Sequence, residues 1–266
     1  MKHSRKEVVV KWVPVNSAKF ITSAEHFYDT SNLVDELYME EPVRLTSSLA
    51  QDTKREYINS TPTSAEYRRC PGYIDLLRNV FEIRSIADMS FEISEDRKII
   101  NIDAPVWLKG RIQFRSAPNK DTYILVSLGL FTLFYSESPV RMEQLPPFLA
   151  MGERTADFTI VPGAFDIDKW IRPVEVAIEI KHHVTCLKIK KGDPLSYVRF
   201  ITPDNLPVRL ERTELTNELD ELAASCLAVK NIEPQNSMVQ NYARMSGKIA
   251  SLFGKKSLCP FKRFLK

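Results

Sequence analysis

The chain has 266 residues, of which 44% are hydrophobic and 10% aromatic, with 37 basic and 34 acidic side chains and a formal net charge of +3. The apolar content excludes a wholly disordered chain, and so balanced a charge does not by itself mark a nucleic-acid binder. Eight Gly against 16 Pro suit stiff connections better than flexible linkers or Gly-rich phosphate loops.

In chain order, Val8 to Val15 reads as a first strand with Trp12 as a core anchor and Pro14 near its end. Residues 16–68 carry little pattern: Glu25 to Met39 suits a loop or short helix, and Gln51 to Tyr67 is polar around Thr61-Pro62-Thr63. Such a segment serves either as a cover over a sheet or as a binding surface. Pro71 and Gly72 make a turn that can open a short helix, with Tyr73, Leu76, Leu77 and Val80 on one face. Arg68, Arg69 and Cys70 at that start are either an anion or thiol site, or a buried cysteine between solvated arginines. Short alternating segments follow at Val80–Ile83, Asp88–Ser94, Lys98–Ile102, Trp107–Arg115 and Tyr123–Tyr135. Strands at this spacing, without long helices between them, predict an antiparallel sandwich or roll.

The stretch from Phe158 to Thr202 is the most strongly patterned. Val174, Val176, Ile178 and Ile180 alternate with Glu175, Ala177, Glu179 and Lys181, the signature of a half-buried strand. Cys186 to Lys190 runs into the turn Lys191-Gly192-Asp193-Pro194, and Leu195 to Thr202 is apolar on both faces, as a central strand is. After Pro207 the period changes. Leu215, Leu219, Leu222, Cys226 and Val229, then Met238, Tyr242, Met245, Ile249 and Leu252, predict two amphipathic helices, with Thr213 and Thr216 as capping residues and Pro234 between them. Beyond Gly254 the tail carries Lys255, Lys256, Lys262, Arg263 and Lys266, no acid, and the interleaved Leu258, Phe261, Phe264 and Leu265. The expected organisation is a β-rich part (1–207), a helical hairpin appended to it (208–254) and a basic tail (255–266), mainly β with an α appendage.

Chemistry-bearing patterns are sparse. Cys70, Cys186, Cys226 and Cys259 lack a CxxC pair and are expected as reduced thiols, without structural disulfides. His182-His183, on opposite faces if in a regular strand, cannot share one metal, and no HExxH or Cys-His cluster accompanies them, so neither metal nor cofactor is expected. Nucleophile elbows, P-loops and dinucleotide fingerprints are absent. No signal peptide is expected at the basic start, and the apolar run Tyr123–Tyr135 is too short to span a bilayer, so no membrane partner is expected. Asp166 and Asp168 flank Ile167; on a strand they would share a face usable for a cation or a water, whereas in a turn they are ordinary polar residues.

Two resemblances attach to these residues. G-A-F-D-I-D-K-W (Gly163 to Trp170) followed by I-K-K-G-D-P-L-S-Y-V (Ile189 to Val198) resembles a segment of the dUTPase and dCTP-deaminase superfamily. It implies a nucleotide site in which Asp166 contacts the sugar or activates water and Trp170 replaces the tyrosine that stacks on the sugar. The Arg-Ser-Ser-x-Gly phosphate motif and the Gly-rich C-terminal arm of that superfamily are absent. R-C-P-G-Y-I-D-L-L-R-N-V-F-E-I-R-S-I-A-D (Arg69 to Asp88), D-I-D-K-W-I-R-P-V (Asp166 to Val174) and K-K-G-D-P-L-S-Y-V-R-F (Lys190 to Phe200) are similar to a family found in tailed phages, including those of cyanobacteria, and in some bacteria. No activity comes with that second family. It implies a phage protein, in the virion or in the host cytoplasm. The leading expectation is therefore a non-enzymatic protein that binds a protein partner or itself, with Arg68, Arg69, Trp170, Lys255, Lys256, Phe261, Lys262, Arg263 and Phe264 as contact residues. A dUTPase-like nucleotide protein using Asp166 and Asp168 is the first alternative, and nucleic-acid binding through the tail the second.

Overall fold

In the computed structural model, residues 6–14, 43–44, 71–115, 123–148, 157–232 and 234–254 are described. In chain order the first elements are β1 (Val8–Pro14), β2 (Val43–Arg44), α1 (Pro71–Leu76), β3 (Val80–Arg84), β4 (Met89–Ile93) and β5 (Ile99–Asp103). Then come α2 (Val106–Lys109), β6 (Ile112–Arg115), β7 (Tyr123–Tyr135), β8 (Arg141–Leu145), β9 (Phe158–Ile160) and β10 (Gly163–Asp166). β11 (Pro173–Lys181), β12 (Cys186–Ile189), β13 (Pro194–Ile201) and β14 (Val208–Arg212) complete the strands, and α3 (Asn217–Ile232) and α4 (Met238–Leu252) close the described chain. The fold is mainly β with two C-terminal helices, as the hydrophobic periods predict.

Three sheets share one core. The largest runs β14-β1-β7-β11-β9, with β6 also on β7; the second runs β10-β8-β13-β3-β2; the third is β12-β4-β5. Val174, Val176, Ile178 and Ile180 of β11 are buried, and they meet Phe81, Met142, Leu195, Val198 and Phe200 of the second sheet in one apolar cluster. Phe134 on β7 contacts Phe200 on β13 edge-on, with ring centroids 5.3 Å apart. The double-sided apolar pattern of β13 has its physical reason here: β13 is flanked by β8 and β3 and is buried on both faces. Nearly every pairing is antiparallel. The exception is β1 with β14, which are parallel from Val8↔Val208 to Trp12↔Arg212.

The helical pair covers the other face of the largest sheet. Val13 of β1 and Leu133 of β7, paired in register, join Trp170 and Ile171 in a second cluster with Leu219, Leu222, Ala223 and Cys226 of α3 and Met245 and Ile249 of α4. The two apolar stripes thus meet the sheet as well as each other. Thr216 caps α3, its hydroxyl accepting the Leu219 N–H at 3.2 Å, while the Thr213 hydroxyl lies 3.2 Å from that of Tyr135. Ser237 caps α4 in a reciprocal box with Gln240. Gly254, at φ +61°, takes the left-handed turn expected after a helix end.

Two expectations change. Trp107 to Arg115 is not one strand: Pro105 opens the helical turn α2, its carbonyl accepting the N–H groups of Leu108 and Lys109, and β6 begins only at Ile112. Val208–Arg212, just past the expected boundary at 207, is a strand of the main sheet, and the helices start at Asn217.

Candidate functional site

The antiparallel pairing of β8 with β10 places Asp166 opposite Arg141. β10 ends at Asp166 and Ile167–Lys169 is a turn, so Asp168 is not on the strand and the shared strand face is not formed. Asp166 is engaged from several sides. Its Oδ2 accepts from Lys169 Nζ at 2.7 Å, Arg141 Nη1 lies 3.9 Å from Oδ1, and its backbone N–H donates to the Tyr242 hydroxyl oxygen at 2.7 Å. The Lys169 ammonium also sits 5.6 Å from the centre of the Tyr242 ring. Asp168 accepts the Val140 N–H at 3.4 Å, and burial pushes its carboxyl up despite neighbouring Lys169. Trp170 is 1% exposed and lies in the cluster under α3 and α4, so its ring offers no face to a ligand from solvent. This constellation ties α4 to the end of β10.

A second charged cluster anchors α3. Glu175 on β11 faces the helical layer, where it accepts from the Ser127 hydroxyl, from Lys230 Nζ of α3 at 2.9 Å and from Arg172 Nη1 at 3.3 Å. Burial alone raises a carboxyl, but the Ser127 hydrogen bond and the Lys230 and Arg172 charges prevail and hold Glu175 at about 2. Arg172 also covers the Phe165 ring at 5.2 Å. At the far end of α4, Phe253 stacks on Tyr135 of β7 with centroids 6.3 Å apart. The helical pair is therefore fixed to the main sheet at Glu175 and Tyr135, and to β10 of the second sheet through Tyr242.

What the pair presents outward is of two kinds. At its connection end Ile232 and Val239 are each 74% exposed, and among the described residues no other large hydrophobic is as exposed. At the opposite end a groove of about 510 Å³ opens between α3 and α4, lined in part by Glu218, Glu221, Leu222, Lys248 and Leu252.

Of the residues singled out in the sequence, the fold brings Asp166, Asp168 and Trp170 into one turn. Arg68, Arg69, Lys255, Lys256, Phe261, Lys262, Arg263 and Phe264 lie outside the described residues. His182 and His183 occupy a turn after β11, with rings perpendicular at 5.6 Å and His183 Nε2 3.6 Å from Asp157 Oδ1. Among the described residues no group of three or more His, Cys, Asp or Glu is placed to hold a metal. Arg141, Tyr242, Ser127 and Lys230 were not foreseen as partners of the two carboxylates. No local signal marks them, because each contact joins residues from distant parts of the chain.

No protein-family model matches the chain, and no curated protein matches it.

Proposed function

We propose that this chain is a β-rich binding or assembly-associated protein of the kind found in tailed phages, and that it engages a protein partner through its helical pair. The observation that carries this reading is the exposed apolar end of that pair, Ile232 and Val239, on helices fixed to the main sheet through Glu175 and Phe253 and packed on Trp170. Apolar side chains held out on a rigid mount lose little conformational freedom on docking, which favours association. The motif similarities at Arg69–Asp88, Asp166–Val174 and Lys190–Phe200 support the phage assignment. Mass spectrometry of purified particles and of infected-cell lysate tests it, with the protein expected in particles or in a complex of assembling components. Its recovery from the lysate only as a free chain would contradict the reading.

The dUTPase-like alternative is less well supported by the geometry, since Asp166 is ion-paired and Trp170 buried. A panel of deoxynucleotides is expected to give no saturable thermal shift. A shift that Asp166→Ala abolishes would replace the binding reading with that one. Affinity for RNA or DNA that falls steeply with salt would mark the tail as a nucleic-acid contact instead.

A further inference from the structure

The groove between α3 and α4 has chemistry of its own and lies at the end of the helical pair away from Ile232 and Val239. Its apolar floor comes from Leu222 and Leu252, and exposed Glu218 and Glu221 stand along the α3 side. Lys248 is the one cation in its lining and is directed to the Ser225 hydroxyl at 3.0 Å. Its volume of about 510 Å³ is in the range of clefts that take a ligand-sized group, here a few side chains of a peptide. The acids are placed at the start of α3, where they complement the positive end of its dipole, and Glu214 precedes them. A free carboxylate edge beside an apolar floor selects a segment that is both cationic and apolar.

The chain supplies such a segment at this spot. α4 ends beside the groove at Leu252, and Gly254, at φ +61°, turns the backbone out of the helix direction. The sequence that follows, Lys255 to Lys266, has five cations and no acid, with Leu258, Phe261, Phe264 and Leu265 among them. From Glu218 to Ser225 the α3 side of the groove is about 10 Å long at the helical rise, and three or four extended residues cover that length. We propose that this groove is the receptor for the chain's own C-terminal sequence, residues 255–266, taking Lys255 and Lys256 against Glu218 and Glu221 and an apolar side chain onto Leu222 and Leu252. An acidic–apolar cleft next to the exit of a basic–apolar segment holds that segment at high effective concentration, so modest contacts suffice.

Limited trypsin digestion of the full chain at low salt tests this, with cleavage after Lys262 followed by mass spectrometry. In Glu218→Lys/Glu221→Lys, both exposed positions, cleavage is expected to accelerate roughly fivefold, the scale of a few exposed ion pairs. Adding Lys255→Glu/Lys256→Glu to that variant is expected to restore the slow rate. Circular dichroism and an unchanged melting temperature show that the variants are folded, and for any variant that is not, 0.5 M salt on the wild type gives the same readout. Equal rates in wild type and the Glu variant, or a wild-type rate matching the free 255–266 peptide, would overturn the proposal. Protection that appears only as protein concentration rises would overturn it too, by assigning the groove to the tail of a second copy.

Discussion

Glu175 sits where a strand pattern leads one to expect solvent, yet its carboxylate joins β11 to α3 through Lys230 and is supported by Ser127 and Arg172. Its pKa in the folded chain, about 2 against the ordinary 4.5, makes it a source of stability that depends on pH. The contribution is fully present above pH 4.5, is lost as pH falls from there towards 2, and amounts to about 3 kcal/mol. Glu175→Gln is therefore expected to lower stability by about 2–3 kcal/mol at pH 7 in denaturant titrations and to flatten the dependence between pH 4.5 and 2. A variant that keeps the wild-type acid slope would show that another carboxylate is responsible. The sequence did not reveal this residue's role because Lys230 lies 55 positions away. Alternation marks the face of a strand but not what covers it.

At the scale of elements, legibility followed the strength of the local period. β11 and the two C-terminal helices come through because their apolar residues repeat at 2.0 or 3.6 with little interruption, and β13 because it is apolar on both faces directly after a turn. The interval around Trp107 does not, because Pro105 fixes a helical turn that apolar spacing alone reads as strand. The parallel pairing of β1 with β14 spans some two hundred positions, and no local pattern specifies such a partner. The turn after Asp166 was partly legible: its carboxylates stand out in sequence, whereas Arg141 and Tyr242, which engage Asp166, come from other elements. β13 gives the sharpest test of the register. Leu195 and Val198 are both 0% exposed, so Leu195→Asp or Val198→Asp buries a charge and is expected to cost about 3 kcal/mol or more. A variant of either kind melting within error of the wild type would refute the assigned register.

For the whole molecule, the layers are helices, main sheet and the two smaller sheets, with an apolar cluster on each side of the main sheet. The appended helices are thus also a cover. A chain ending at residue 207 lacks β14, the partner of β1, and uncovers Val13, Leu133, Trp170 and Ile171. It is expected to lose its cooperative thermal transition and to bind a hydrophobic dye, and a sharp wild-type-like transition would show that the β part is self-sufficient. With the helices so fixed, Ile232→Glu/Val239→Glu at their connection end is expected to leave the melting temperature within about 2 °C, as surface changes do. For the proposed phage partner, the most direct measurement is sedimentation of the wild type and this double variant in extracts of infected cells. The wild type is expected in fast-sedimenting fractions with its partner and the folded variant in the fractions of a free chain, whereas identical profiles for the two would contradict a partner surface at the end of the helical pair.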